Sequence, residues 1–255
     1  MNYDWSWSVF LGVSTNGVDT YLKTILIGVG WTLALAITAG VISFFTGTFV
    51  AILRTAPSKL LNAVGATYVE IFRNIPLLVQ MFLWYFVLPE LLPVSLGSAM
   101  KQMAQPWGQF IPALLCLTFY STARLGETIR AGIRSLPEGQ KAAGTAMGLT
   151  PYQLYSYVIM PQALRIVIPP LTSEVMGIIK YSSVALTIGL LELTGQARAM
   201  QEFTFHIFEA FSAATIGYLV INGCVVLAMR QVERHFALPG MIGWKLKKDI
   251  SGDAL

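Results

Sequence analysis

The fold is decided by a long stretch of sequence that carries no charge. Residues 24–53 read TILIGVGWTLALAITAGVISFFTGTFVAIL, which is thirty positions without Lys, Arg, Asp or Glu between Lys23 and Arg54. A helix needs about 20 consecutive apolar residues to cross ~30 Å of hydrocarbon. This stretch is therefore predicted to be a transmembrane helix, and the rest of the chain is interpreted outward from it.

Composition extends this prediction to the whole chain. Of its 255 residues, 55% are hydrophobic and 12% are charged, and the mean hydropathy is +0.63. Soluble domains carry about 25% charged residues, so roughly half of the usual charge is missing. The net charge of +4 does not indicate nucleic-acid binding, because the basic residues lie in short loops between apolar segments. The chain is predicted to be an all-α, polytopic membrane protein, which excludes a soluble globular enzyme.

Four further spans are predicted after the first. The second covers residues 62–88 and the third residues 108–130. The fourth includes residues 168–179, and the fifth covers residues 208–229. Residues 182–193 are apolar but too short to cross a membrane, so we interpret them as a re-entrant or interfacial helix. The prediction is thus about five transmembrane helices.

The distribution of Lys and Arg sets the predicted orientation of these spans. With five spans and the N-terminus outside, eleven basic residues fall on the inner side and three on the outer side. The inner set is Arg54, Lys59, Arg130, Arg134, Lys141, Arg165, Arg230, Arg234, Lys245, Lys247 and Lys248, and the outer set is Lys23, Lys101 and Arg198. We therefore predict that the N-terminus lies outside and the C-terminus inside.

This orientation divides the chain into three parts. Residues 1–22 are predicted to form an outer interfacial segment, where aromatic rings such as those of Trp5 and Trp7 are favoured. Residues 23–231 are predicted to form the transmembrane domain. Residues 232–255 are predicted to form a basic cytoplasmic tail.

The longest predicted cytoplasmic connection, residues 135–162, has an informative pattern. Residues 135–155 read SLPEGQKAAGTAMGLTPYQLY. The alanine-rich part favours a helix, and Gly148 can end it as the residue after the C-cap. Thr150 and Pro151 suit the N-cap and first position of a second helix. Two short helices are predicted, and their small residues would let another protein's backbone approach closely; the alternative is an ordinary loop.

This segment resembles the EAA loop of ABC-importer permeases, whose pattern is E-A-A, then Gly, then I-x-L-P. Residues 142–144 (AAG) correspond to E-A-A, Gly148 to the glycine, and residues 158–161 (VIMP) to I-x-L-P. Residues 72–77 (FRNIPL) and 180–183 (KYSS) are two further matches. Residues 139–140 (GQ) and 162–163 (QA) resemble the polar-amino-acid branch of the family, and the chain is most similar to glutamate/aspartate permease subunits.

The resemblance covers about residues 25–230 and implies the type I ABC-importer permease fold. It implies a permease subunit of an ATP-driven, binding-protein-dependent importer in the bacterial inner membrane. The implied substrate is glutamate or aspartate, with another polar amino acid as the alternative. No G-x-x-x-x-G-K-[ST] motif occurs, so ATP and Mg²⁺ are assigned to a separate ATPase dimer, and this subunit is expected to have no catalytic residue, cofactor or metal site. Further implied partners are a second permease subunit, in a heterodimer, and a periplasmic substrate-binding protein.

The resemblance also assigns the residues that contact the ATPase. The implied coupling residues are Gly139, Ala142, Ala143, Gly144, Gly148 and Pro161. Ala142 stands where the family pattern begins with glutamate, so any contact made by that carboxylate is absent here.

Polar side chains inside the predicted spans are candidates for the substrate pathway, because a charge at the bilayer centre costs about 2.5–3.5 kcal/mol. The uncharged candidates can hydrogen-bond a zwitterion or can equally hold helices together. Lys180 can also snorkel toward water, and Arg73 can pair with Glu70 at i+3. The selected candidates are Arg124, Lys180, Arg73, Glu127, Gln80, Thr122 and Ser173, and the spans also contain Glu70 and Glu174.

Arg124 is the candidate with the most specific chemistry. It lies ~24 Å into the third span if that span begins at Gly108. Its guanidinium suits the additional carboxylate of glutamate or aspartate, because it is planar and permanently charged. The alternative is an internal ion pair with Glu127 at i+3, and the two roles are not exclusive.

Two other classes of function stay open at this point. One is a secondary transporter or channel that works without ATP, although such folds usually show internal repeats or paired discontinuous segments and we find no convincing repeat. The other is a scaffold subunit with no pathway of its own, in which the intramembrane cations only pair with internal carboxylates.

Overall fold

The computed structural model describes Tyr3 and residues 5–236, and these residues form helices without any β-strand. A 3₁₀-helix, Trp7–Leu11, precedes the first α-helix. Two π-helical turns, Leu83–Val87 and Leu154–Ile159, and a second 3₁₀-helix, Ser182–Ile188, lie between the α-helices. In chain order the α-helices are α1 (Tyr21–Thr55), α2 (Lys59–Asn74), α3 (Leu77–Phe82), α4 (Leu88–Leu91), α5 (Val94–Lys101), α6 (Trp107–Arg134), α7 (Glu138–Ala146), α8 (Pro151–Gln153), α9 (Met160–Tyr181), α10 (Leu193–Thr204) and α11 (Ile207–Phe236).

Within the described residues, length and composition alone give up to four spans, and α6 corresponds to the remaining one of the five that were predicted. By length and composition, α1 and α11 are each able to cross a membrane, and two bent helix pairs meet the same standard when each pair is counted as one. Helix α6 is long enough at 28 residues, but Arg124, Glu127 and Arg130 make it less apolar than those helices. The predicted cytoplasmic tail begins within α11, and residues 237–255 lie outside the described residues.

The second predicted span, residues 62–88, is broken in two between Asn74 and Leu77. Helix α2 and the following segment Leu77–Leu91 are bent by 99°. Ile75 is extended (φ −85°, ψ 128°), as the residue before a proline prefers to be. The amide of Gln80, buried at the break, donates to the carbonyl oxygens of Phe72 and Ile75 at 2.8 Å each. Gln80 therefore satisfies backbone groups that the break leaves without helical partners.

The fourth span is continuous with the preceding cytoplasmic segment. Residues from Pro151 to Ile188 form one helical run, which bends by 46° into α10. The apolar residues 182–193 hold a 3₁₀-helix and a turn at Gly189 (φ +87°), a conformation that favours glycine. Helix α10 follows this turn, and no helix was predicted there.

Helix α6 is central and packs against α1, α2 and α9. Its contact with α1 is close enough that Gly47 and Gly126 face each other's backbone. Hydroxyl groups support the same contact: Ser43 donates to the carbonyl oxygen of Thr118 at 3.1 Å, and the hydroxyls of Thr46 and Thr122 lie 2.6 Å apart. Small residues and interhelical hydrogen bonds are the usual means of packing membrane helices.

The N-terminal segment is fastened to the beginning of α11. Glu209 is fully buried and accepts hydrogen bonds from the Tyr3 hydroxyl and from the Ser6 backbone N–H at 2.8 Å. The rings of Trp5 and Trp7 stack with centroids 5.8 Å apart, and both rings are about half exposed. Exposed indole rings suit the predicted position at a membrane interface.

We predict that Gly47 tolerates no side chain, whereas Gly30 on the same helix does. A Cβ at Gly47 would lie 3.0 Å from Leu125 Cβ and 3.1 Å from the Gly126 backbone nitrogen, whereas nothing lies within 4 Å of a Cβ at Gly30. Gly47→Ala should destabilise the protein by about 1–3 kcal/mol, because α1 and α6 must separate. Gly30→Ala should be neutral or slightly stabilising, since alanine favours a helix. Equal melting temperatures of the two purified variants would contradict the close approach.

Candidate functional site

An ion pair between α6 and α9 is the most distinctive polar feature of the transmembrane region. The Arg124 guanidinium donates through Nε to Glu174 Oε2 at 2.9 Å and through Nη2 to Glu174 Oε1 at 3.2 Å. Thr128 contacts the same carboxylate at 3.4 Å. The Arg124 side chain is 35% exposed and that of Glu174 is 14% exposed. The pair is thus bidentate, charge-assisted and open on the arginine side.

The predicted alternative partner of Arg124 was wrong. Arg124 pairs with Glu174 and not with Glu127. Residues three apart on a helix differ in direction by about 60°, so they can reach different neighbouring helices. Arg124 faces α9, whereas Glu127 reaches Arg54 at the end of α1.

Two tyrosine rings complete the surroundings of Arg124. The guanidinium carbon lies 5.6 Å from the ring centroid of Tyr181. Tyr120 meets Tyr181 edge to face, with centroids 5.4 Å apart and planes at 88°. The site therefore combines a cation, a carboxylate and aromatic faces, which is the set of groups that binds a zwitterion with an apolar body.

Glu127 binds two arginine side chains at the end of α1. It accepts hydrogen bonds from Arg54 and from Arg130, whose Nε lies 2.9 Å away. The three side chains are 15–22% exposed. The Asn62 amide donates to the Arg54 carbonyl oxygen at 2.6 Å, and the Tyr155 hydroxyl donates to the carbonyl oxygen of Thr55 at 2.9 Å. Glu127 thus stabilises the junction of α1, α6 and the segment before α9, and the structure does not bring it to Arg124.

The remaining charged candidates do not join this site. Arg73 is exposed, and the predicted pair with Glu70 is not formed. Glu70 instead accepts a hydrogen bond from the Asn74 amide at 2.9 Å. Lys180 is exposed in the last turn of α9 and forms no ion pair within the described residues.

The uncharged candidates divide by position. Gln80 and Thr122 are buried and hydrogen-bonded within the protein, to the α2 carbonyls and to Thr46. Both therefore hold the helices together, which was one of their two predicted roles. Ser173 is exposed on α9, beside Glu174 in the sequence.

Glu192 is a buried carboxylate that sequence reasoning missed. It is fully buried and accepts from the Tyr218 hydroxyl at 2.8 Å and from the backbone N–H groups of Thr194 and Gly195 at 3.0 and 2.9 Å. Thr32 of α1 also contacts it, at 3.3 Å. It caps α10 and joins that helix to α1 and α11. Its signal was the single charge in the apolar run of residues 184–195.

The segment that resembles the coupling loop has the predicted local structure. Helix α7 ends at Ala146, and Gly148 follows the C-cap residue Met147. The φ of Gly148 is +79°, and its N–H donates to the Thr145 carbonyl oxygen at 3.0 Å. The Leu149 N–H donates to the Gly144 carbonyl oxygen at 3.1 Å, which completes a Schellman motif. Thr150 then caps α8 together with Gln153 in a capping box, and Pro151 occupies the first position. The predicted helix end and helix start are both confirmed.

The coupling residues named from the resemblance lie mostly on the surface of this segment. Ala142, Ala143 and Gly148 are exposed, as are Gly139 and Pro161. Gly144 is the exception, because it is buried and a Cβ there would lie 2.5 Å from Leu154 Cδ1. Gly144 therefore allows α7 to pack against the helical run that leads into α9.

Comparison with known proteins identifies the relatives of this chain. Residues 43–238 match the family model described as "Binding-protein-dependent transport system inner membrane component". The glutamate/aspartate import permease protein GltJ of Escherichia coli strain K12 is 46% identical over 246 residues, covering 96% of this chain and 100% of the relative. The probable glutamine ABC transporter permease protein GlnM of Bacillus subtilis strain 168 is 34% identical, covering 76% of this chain and 84% of the relative.

Solved structures resemble the fold. The crystal structure of an amino acid ABC transporter with histidines superposes with a TM-score of 0.72 at 30% identity, covering 84% of this chain and 95% of that chain. The inward-facing MetNI methionine ABC transporter superposes with a TM-score of 0.68, covering 85% of this chain and 98% of that chain; at 19% identity this likeness concerns the fold alone. The predicted permease fold is confirmed.

We predict that Glu127 contributes far more to stability than a carboxylate in an exposed pair. Glu127→Ala would leave Arg54 and Arg130 without their shared counter-ion and should cost up to about 3 kcal/mol. The matched control is Glu202→Ala, whose partner Arg198 is 54% exposed. That change should cost less than about 1 kcal/mol. Thermal unfolding of the purified variants measures both, and an equal loss would contradict the role of Glu127 at this junction.

Proposed function

The chain belongs to the family of inner membrane components of binding-protein-dependent transport systems, and from this membership we propose that it imports acidic amino acids. It is the membrane-spanning subunit of an ATP-driven importer for glutamate and aspartate. The Escherichia coli relative named for these substrates supports the proposal, and Arg124 supplies its chemical reason. An accessible guanidinium inside a transmembrane region is costly unless it serves a ligand or an internal partner.

The subunit works with several partners and performs no catalysis itself. A separate ATPase dimer binds ATP and Mg²⁺ and hydrolyses the nucleotide. A second permease subunit forms a heterodimer with this chain, and a periplasmic binding protein delivers the amino acid to the outer face. The assembly lies in the inner membrane of a bacterium, with the α7–α8 segment on the cytoplasmic side.

The α7–α8 segment is the contact with the ATPase. Met147 and Tyr152 are 80% and 77% exposed, so two large side chains of this segment are available for contact with another protein. The segment continues without a break into α9, which carries Glu174 at the Arg124 site. Closure of the ATPase dimer on ATP would therefore move α9 as a unit and would change the access to Arg124.

We predict that Gly148→Asp uncouples transport from ATP hydrolysis. The substitution forces a side chain into φ +79° and adds a charge where α7 meets α8. The assembled complex should lose ATPase subunits or lose the stimulation of hydrolysis by substrate, while the permease still inserts into the membrane. Hydrolysis and uptake in proteoliposomes measure this.

A matched control is Gly17→Asp in the N-terminal segment. Gly17 also has a positive φ, +71°, and nothing lies within 4 Å of a Cβ there. The same residue is thus introduced with the same backbone strain, far from the α7–α8 segment in the sequence. Gly17→Asp should leave coupling intact, and normal coupling in Gly148→Asp would contradict the docking assignment.

We predict that Arg124 sets the preference for acidic over neutral substrates. Loss of one partner from a buried charge pair costs about 2–5 kcal/mol, so Arg124→Ala should weaken uptake of glutamate at least tenfold relative to glutamine. Arg124→Lys should recover part of the preference, because ammonium keeps the charge but loses the planar fork. The measurement is uptake of both amino acids at a range of concentrations, with a binding protein that accepts both.

The double variant Arg124→Ala/Glu174→Gln is the control for the carboxylate that loses its partner. It removes repulsion between Glu174 and an acidic substrate, and it keeps the site without a cation. It should show the same loss of preference as Arg124→Ala. An unchanged preference for glutamate in well-assembled Arg124→Ala complexes would overturn the role of Arg124.

A further inference from the structure

The Glu174 carboxylate is already paired with the Arg124 guanidinium, which is the cation that a carboxylate of the proposed substrate needs. In this structure, Nε and Nη2 of Arg124 are both engaged by the Glu174 carboxylate. Among the described residues Glu174 contacts no other cation, and its side chain is 14% exposed. A substrate carboxylate that takes these donors displaces Glu174, and a carboxylate left unpaired in such a position is strongly unfavourable.

An amino acid solves this problem with its own charges. Its carboxylate and its ammonium complement the guanidinium and the carboxylate of the opened pair. The two intermolecular pairs then replace the one internal pair, and neither Arg124 nor Glu174 is left without a partner. The ring of Tyr181, already 5.6 Å from the guanidinium carbon, offers an aromatic face that also favours an ammonium group.

We propose that Glu174 binds the α-ammonium group of the substrate when the amino acid opens the Arg124–Glu174 pair. This inference rests on the proposed import of acidic amino acids and adds a second specificity-determining residue to it. Arg124 binds a carboxylate of the substrate, and Glu174 lowers the affinity for molecules that lack the ammonium group. Because Glu174 lies on α9, which continues from the α7–α8 segment, opening of the pair also removes an ion pair that joins α9 to α6.

The test compares glutamate with glutarate, which has the same two carboxylates and no amino group. Binding of each compound is measured by calorimetry on the complete permease–ATPase complex in nanodiscs, without the binding protein. The wild-type complex should bind glutamate at least tenfold more tightly than glutarate. Glu174→Gln should weaken glutamate binding at least tenfold and should not weaken glutarate binding, so that the preference largely disappears.

Glu70→Gln is the matched control. Glu70 is another carboxylate of the membrane-embedded region, and it accepts from the Asn74 amide on its own helix. Its neutralisation should leave both affinities unchanged. Glu174→Asp keeps the charge but withdraws it by one methylene, and it should reduce the preference for glutamate without abolishing it.

The outcomes separate the possible roles of Glu174. If Glu174 is only the counter-ion of Arg124, Glu174→Gln changes the two affinities in the same proportion, which overturns the inference. Equal binding of glutamate and glutarate by the wild-type complex also overturns it, even if the variant fails to assemble. A wild-type complex that binds glutamine more tightly than glutamate contradicts the proposed substrate instead. The affinity for glutamine is then compared with that for glutaramic acid, its analogue without the amino group, and this comparison decides the role of Glu174.

Discussion

A charge inside a membrane must find its partner within the protein, and helix α6 carries Arg124 and Glu127 into the transmembrane region. Each costs about 2.5–3.5 kcal/mol at the bilayer centre when it is not paired. Arg124 reaches Glu174 on α9, while Glu127 is shared between Arg54 of α1 and Arg130 of α6 itself. These pairs fix which helices can be neighbours of α6, so the arrangement of the spans depends on them.

The packing around α6 is consistent with this constraint. Glycines and hydroxyl groups bring α1 close to α6, at Gly47 and Gly126 and at Thr46 and Thr122. The contact between α6 and α9 is more open at Arg124 of α6, because that side chain is one-third exposed. A closely packed α1–α6 pair beside an α9 that is linked to the α7–α8 segment suits a transport cycle driven from the cytoplasmic side.

Local features were predictable from the sequence, and contacts between distant residues were not. The spans follow from hydropathy, and the α7–α8 turn follows from Gly148, Thr150 and Pro151, because caps depend on neighbouring residues. The partner of Arg124 lies 50 residues away and depends on which helices meet. Pro76 disfavours a helical conformation at Ile75, but the 99° bend depends on tertiary packing. The i+3 spacing suggested a pair between Arg124 and Glu127, but each side chain instead pairs with a residue of a different neighbouring helix.

The most direct test of the account is a structure of the assembled transporter in lipid, determined by electron cryo-microscopy with and without bound glutamate. The account predicts that, with glutamate bound, the Arg124 guanidinium contacts a substrate carboxylate and Glu174 contacts the substrate ammonium. It also predicts that the direct Arg124–Glu174 contact is restored when the substrate is absent. An Arg124–Glu174 pair that stays intact at 2.9 Å, with glutamate bound elsewhere, would contradict it.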